Sequence, residues 1–390
     1  MGANNVATLS HSLVWFAIGW VAAGFGPASS ALISTLTVLP RAVLLLAGGE
    51  LGDRFGPRRM MVVSSGVMCA LLVGVLVVTG GETAELPVLI VLAVGSGVAI
   101  AVQMPAQGAL PRLFVGDDLL PRAMAQHSSV QQLARVAGPA LGGVLLIFLT
   151  LSHLLIIDVV VGAGLIVVLA LLRPPREIRP AGLSANPVRR VVDALGAIAR
   201  IPGLLALLLA VGLLAASVLP LLYLGVPLAA RERGWSPAQA GLVEAAWIVG
   251  TLTVTLGVAK FGVPTRIGPW LVIGPLLASA GILVLTTTTP ASWAIIGSLV
   301  MGGGTAVFTC TAMPLFVAQT PPGMLVRCQA VLALAQTWPL LVANGGFAWL
   351  TDLGGVSYGF GAAALLCLTS GLACLVAPSL RTASAEVRPS

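Results

Sequence analysis

Residues 49–59 read GELGDRFGPRR, a run of eleven positions holding the charged side chains Glu50, Asp53, Arg54, Arg58 and Arg59. The 390-residue chain around this run is 58% hydrophobic and only 8% charged, with a mean hydropathy of +1.04. A water-soluble chain carries about 25% charged residues, enough to coat its exterior. This one cannot. Apolar stretches of about 18 residues or more recur from end to end, which is the pattern of membrane-spanning helices. The charged run is therefore a polar interruption between two spans of a polytopic membrane protein.

Breaks at charges, Pro and Gly divide the chain into twelve candidate spans. The first six lie near residues 5–25, 29–49, 60–80, 86–108, 123–149 and 152–172. The second six lie near 203–229, 237–259, 268–288, 291–317, 325–350 and 356–377. This predicts an all-α fold with an N-terminal six-helix bundle over 1–172 and a C-terminal one over 202–378. A polar, basic linker over 173–201 joins them, and a short tail follows from 379 to 390. With both termini placed in the cytoplasm, sixteen of the twenty basic residues fall on the cytoplasmic side. Arg231 and Arg233 face the other way, and Arg41 and Arg135 sit inside spans. An excess of that size fixes orientation by the positive-inside rule.

The net charge of +7 then belongs to topology rather than to a nucleic-acid surface. Five cysteines without CxxC spacing read as small apolar residues, not as a disulfide or metal framework. Three scattered histidines offer no metal site, and no cofactor motif stands out. The N-terminus has no Lys or Arg ahead of its first apolar run, unlike a cleaved signal peptide. A membrane-embedded enzyme would need clustered His, an HExxH helix or a Ser/Lys dyad in the bilayer, and none is present, so the reading is not an enzyme.

Six spans, a basic linker and six more indicate an internal duplication, common in secondary transporters. Asp53-Arg54-Phe55-Gly56 has a counterpart 206 residues later in Ala259-Lys260-Phe261-Gly262, and Arg122 has one 205 residues later in Arg327. Gly49, Leu51, Asp53, Arg54, Gly56 and Arg58 resemble the G-x-L-a-D-R-x-G-r-k motif between the second and third helices of the major facilitator superfamily. Pro57 departs from it, standing where a basic residue is usual. In the fifth span, ARVAGPALGG (134–143) is similar to the g-x-x-x-G-P-x-x-G-G motif of proton-coupled exporters in that superfamily. Gly138, Pro139, Gly142 and Gly143 fit, while Ala134 replaces the first glycine. With MPAQGALPRL (104–113), the chain resembles the enterobactin-exporter and macrolide-efflux branch.

The resemblance implies a conformational latch at Gly49, Asp53, Arg54, Gly56 and Arg58. Asp53 would meet the start of the eleventh helix, where the helix dipole favours an anion. The arginines would bridge to acids such as Asp117 or Asp118, and the two glycines would make a tight turn. The plainer reading is that these charges only hold the loop in water. For Arg135, Gly138, Pro139, Gly142 and Gly143, the resemblance implies a segment packed on the eighth helix; ordinary small-residue packing is the alternative.

Ionisable residues inside spans cost at least ~2.5–3.5 kcal/mol each and are functional candidates by default. Asp158 and Glu244 are the acids placed there, and a carboxylate in an apolar cavity can bind and release a proton as access alternates. Either could carry a coupling proton, tuned by Arg41 or Arg135; a static pair or a helix cap is the alternative for Asp158. His11 stands where relatives of this branch place an acid and is read as a polar cavity residue. Trp15, Gln103, Met104, Tyr223, Thr309 and Met313 complete the expected substrate cavity, with core or lipid-facing packing as the competing reading.

The expectation is a secondary active transporter in a bacterial inner membrane, both termini cytoplasmic, acting as a monomer on a small-molecule substrate and protons. Proton-coupled export of small amphipathic molecules leads. Uptake of a metabolite by a symporter or facilitator of the same fold is the alternative.

Overall fold

The computed structural model describes residues 2–81, 85–109, 120–171, 195–196, 198–201, 203–262, 266–320 and 324–381; within these, the side chains of 2, 45–55, 57, 104–109, 120–129 and 325–327 are not described. Twelve of its helices are long and apolar enough to cross a bilayer. In chain order they are α1 (Gly2–Ala22), α2 (Pro27–Phe55), α3 (Pro57–Val78), α4 (Leu86–Ala109), α5 (Leu120–Phe148) and α6 (Leu151–Leu171). The second set is α7 (Leu204–Glu232), α8 (Pro237–Phe261), α9 (Gly268–Thr287), α10 (Ala291–Gln319), α11 (Leu325–Gly354) and α12 (Val356–Val376). Closed backbone hydrogen bonding is what the hydrocarbon interior demands, and helices supply it within each segment.

The chain divides into two compact units. The first holds residues 1–184 together with 236–241, the opening turns of α8; the second holds 185–235 and 242–390.

In the first unit, α1 packs against α5 and α6, α2 against α4, and α3 against both α4 and α6. Val14, Ala17 and Ile18 of α1 share a core with Leu72, Leu89, Leu92, Leu154 and Leu155. A smaller cluster of Met60, Met61, Leu165 and Leu169 joins the start of α3 to the end of α6. Apolar side chains at the rim, such as Val77, Val78 and Phe148, stand exposed, as a lipid-facing surface requires.

The second unit is tied by small residues and hydroxyls, since apolar burial alone gives little drive for helices to associate in lipid. α10 is drawn close to two neighbours. A Cβ at Gly302 would collide with the Trp247 carbonyl of α8, and one at Gly304 would collide with α9 at Ala278. Ser298 donates to the Val243 carbonyl at 2.6 Å. α12 is stitched to α7 by Ser217 to Ala363 O at 2.6 Å and Ser370 to Ala210 O at 2.8 Å.

The polar stretch between the second and third spans is shorter than its composition indicates. α2 continues six residues past the expected limit of 49 and runs through GELGDRF to Phe55; α3 begins at Pro57. The whole connection is Gly56, at φ +75°. Gly49 is thus a helical residue, which corrects the expectation that it makes the tight turn; Gly56 alone does so. Pro57 at the first position of α3 has the fixed φ that a helix start accepts and lacks only an N–H that would be unpaired there. Its counterpart 206 residues later, Gly262, ends α8 at φ +83°. The internal repeat read from DRFG and AKFG is therefore also a repeat of backbone conformation.

Candidate functional site

The fifth-span motif sits within α5, where Pro139 interrupts the hydrogen-bond ladder without ending the helix. Its glycines have two different partners. Gly138 and Gly142, one turn apart, face α1. A Cβ at Gly138 would land on Ser12, with the Ser12 carbonyl carbon at 3.0 Å and the Leu13 nitrogen at 3.1 Å. One at Gly142 would sit 3.1 Å from the Leu13 carbonyl oxygen and 3.2 Å from the Phe16 ring. Gly143 faces the opening of α8, where a Cβ would strike the Pro237 carbonyl and come within 3.0 Å of Ala238 Cα. The contact is returned by Gly241, against the Pro139 carbonyl. The packing expected from the motif on the eighth helix is present between α5 and residues 237–241. The approach of Gly138 and Gly142 to α1 was not expected.

Residue 244 lies three positions beyond Gly241 on α8, and its carboxylate side chain is only 7% exposed. Trp247, one turn further, carries a buried indole N–H with no hydrogen-bond partner. No Lys or Arg occurs between Arg233 and Lys260, between Arg266 and Arg327, or between Arg327 and Arg381. Basic residues of the second half are thus confined to helix ends and the segments beyond them, whereas Glu244 is an acid two turns inside α8.

Asp158 on α6 has a defined partner. His11 Nδ1 of α1 stands 3.8 Å from Asp158 Oδ2, with side-chain exposures of 26% and 9%. The far ring nitrogen, His11 Nε2, is buried and makes no hydrogen bond. Helix α3 closes the other side. Cys69 Sγ lies 3.7 Å from the Val159 carbonyl, against Gly162. Two residues placed in separate lists by sequence, one for the cavity and one for the proton, form a single pair.

Arg58 has a partner that its sequence position did not announce. Its guanidinium donates to the carbonyls of Leu169 at 2.8 Å and Ala170 at 3.0 Å, in the last turn of α6. It satisfies otherwise open C-terminal carbonyls and opposes the negative end of the helix dipole. Arg58 is thus an Arg-to-carbonyl cap on α6, and the expected bridge from the arginines to Asp117 or Asp118 falls outside the described residues. Gly49, Asp53 and Arg54 lie among the side chains outside those described, as do Asp117 and Asp118.

Arg41 is half-buried one residue after Pro40 in α2, and Arg135 is exposed on α5. Trp15 is half-buried on α1. Gln103 donates to Ser65 Oγ at 3.3 Å. The Met104 side chain is outside the described set. Tyr223 is 54% exposed and lies in a π-helical turn, Leu221–Gly225, that follows Pro220 inside α7. Such turns displace one residue from the regular ladder and are frequent at functional positions. Thr309 folds back onto the Ala306 carbonyl at 3.3 Å, and Met313 beside it on α10 is half-buried.

Sequence reasoning also missed a polar clasp at the end of α7. Arg233 donates to Leu285 O at 2.7 Å and Thr288 O at 2.8 Å, capping α9, and lies 5.4 Å from the Trp235 ring centre. Burial lowers its pKa and the neighbouring Glu232 raises it. Glu232 in turn accepts from the first backbone N–H of α12, Val356, at 2.9 Å. One dipeptide so holds the C-terminus of one helix and the N-terminus of another.

With both motifs placed on helices of the first bundle, comparison with known proteins is decisive. The Major Facilitator Superfamily profile matches residues 1–343. The chain belongs to the Major Facilitator Superfamily. The cephamycin export protein CmcT of Amycolatopsis lactamdurans is 29% identical over 248 residues, which is 63% of this chain and 45% of that relative. The aligned stretch thus spans less than half of that protein's length. Among solved structures, a mutant of the nucleoside transporter NupG superposes with a TM-score of 0.74 at 10% identity, covering 96% of this chain and 99% of the other. A bacterial homologue of the iron transporter ferroportin, in an inward-facing state, gives 0.70 at 16% identity over 96% and 97%. The xylose transporter XylE from E. coli gives 0.66 at 12% identity over 94% and 95%. At these identities the structures establish the fold alone, a multi-pass membrane fold of twelve spanning helices.

Proposed function

We propose that this superfamily member is a proton-coupled antiporter that exports small amphipathic molecules from the bacterial cytoplasm, working as a monomer with both termini inside the cell. The observation that carries the reading is the fifth-helix segment 138–143. Gly138 and Gly142 bring α5 onto α1, and Gly143 brings it onto the start of α8, at the spacing of the exporter motif. The similarity to a cephamycin export protein points the same way. Energy comes from protons in this reading, with Asp158 and Glu244 as buried carriers and Arg41 as a tuning charge. The loop motif of Gly49, Asp53, Arg54, Gly56 and Arg58 serves as the conformational latch. His11, Trp15, Gln103, Met104, Tyr223, Thr309 and Met313 are assigned to the substrate path.

The test is accumulation of a panel of drugs and fluorescent dyes in cells expressing the protein, with and without a proton uncoupler. Export predicts lower accumulation of at least one compound, restored by the uncoupler. Higher accumulation on expression would instead support uptake.

A further inference from the structure

We infer that the His11–Asp158 pair is a proton-operated clasp between α1 and α6, closed when the pair holds one proton and opened when it loses it. The inference rests on the reading of Asp158 as a proton carrier and adds its partner and the part that moves.

The charge balance is the starting point. With one proton shared, the pair is either an imidazolium beside a carboxylate or a neutral ring beside a neutral acid, and both are uncharged in sum. Removing that proton leaves a single negative charge on a side chain that is 9% exposed, at 3.8 Å from a neutral ring. An uncompensated charge in such surroundings is strongly unfavourable, so the packed arrangement and the proton are held together. Loss of the proton requires water to reach Asp158, and that requires α1 and α6 to part.

The surroundings determine which helix gives way. α6 is fixed to α3 at two levels, by Arg58 on Leu169 and Ala170 and by Cys69 against Val159 and Gly162. The polar contact described between α1 and α6 is His11 with Asp158, beside shared apolar packing; the close backbone approach of α1 is to α5, at Ser12 and Leu13 against Gly138 and Gly142. The residue after His11 is thus the one seated on the fifth-helix motif. Opening the clasp lets α1 shift over the glycine face of α5, which ties proton release to the segment that carries the export reading. Among the described side chains, the other charged or titratable groups on the elements around the pair are Arg135 on α5, Arg41 on α2, His153 on α6 and Arg58, Arg59 and Cys69 on α3; of these, Cys69 packs beside Asp158, against the Val159 carbonyl and Gly162. The buried and unpartnered Nε2 leaves one ring nitrogen able to meet a polar atom once α1 moves.

The test is hydrogen–deuterium exchange of α1 peptides, read by mass spectrometry on the full-length protein in lipid nanodiscs, and it needs no substrate. Exchange is compared at about pH 5.5 and about pH 8.5, on either side of the ordinary histidine range, after correction for the intrinsic rate. The wild type is expected to exchange about tenfold faster in α1 at the higher pH, while α3 changes little. His11→Asn, Asp158→Asn and the double variant should each abolish that pH dependence to the same extent. The exchanged pair, His11→Asp with Asp158→His, should restore it, which a merely structural role would not do. A pH dependence that is absent from the wild type, or that survives in either single variant, overturns the clasp. If the clasp stands while expressing cells export no compound in an uncoupler-sensitive way, the export reading fails and the clasp remains.

Discussion

Replacing Gly138 by Ala adds one methyl group where α5 meets α1. Built on the present backbone, that carbon falls on Ser12, with backbone atoms of Ser12 and Leu13 at 3.0 and 3.1 Å. Backbone cannot rotate away as a side-chain tip can, so the helices must separate. Overpacking of this kind costs about 1–3 kcal/mol. Gly164 on α6 is the control, because a methyl group there meets nothing within 4 Å. Gly-to-Ala in an open helical position is stabilising by roughly 0.5–1 kcal/mol. The two substitutions are the same chemically and should differ in sign. For a unit of this size, about 2–4 °C accompanies each kcal/mol, so Gly138→Ala should melt about 2–12 °C below wild type in a nanodisc thermal unfolding assay. Gly164→Ala should melt at or slightly above wild type. Equal melting of the two variants would refute the claim that Gly138 is present for close approach to α1.

Other outcomes follow from the same geometry. Arg58→Gln loses a charged donor to the last turn of α6 and should destabilise the first bundle by about 1–2 kcal/mol, seen as a lower unfolding temperature. Arg233→Gln removes the charged cap on α9 and should cost about 1.5–3 kcal/mol by the same assay. Glu232→Ala frees the Val356 N–H at the start of α12 and should cost about 0.5–2 kcal/mol, with Glu232→Gln closer to wild type because an amide oxygen can still accept.

The architecture could be read from hydropathy because each span must satisfy its own backbone in lipid, which makes membrane helices local in sequence. The overrun of α2 was missed for a related reason. GELGDRF is polar, and polarity was taken as the end of the helix, yet a helix that leaves the bilayer need not stop at its surface. The duplication was legible in DRFG and AKFG because a left-handed turn between helices constrains its residues, and glycine at positions 56 and 262 records it. Pairing was not legible. His11 and Asp158 are distant in sequence, and nothing in either local stretch names the other. The division of labour among Gly138, Gly142 and Gly143 was equally hidden, since a motif shows small residues but not which neighbour each one admits. The carbonyls that Arg58 and Arg233 cap leave no mark in composition.

The central claim is that buried carboxylates couple proton entry to export, and the most direct measurement is energised dye efflux from whole cells. Cells loaded with ethidium or another compound identified by the panel are re-energised with and without a proton uncoupler. They express either wild type or the Asp158→Asn/Glu244→Gln double variant at matched membrane levels. The account predicts uncoupler-sensitive efflux by wild type and its loss in the double variant. Efflux by the double variant at the wild-type rate, still abolished by the uncoupler, would contradict it.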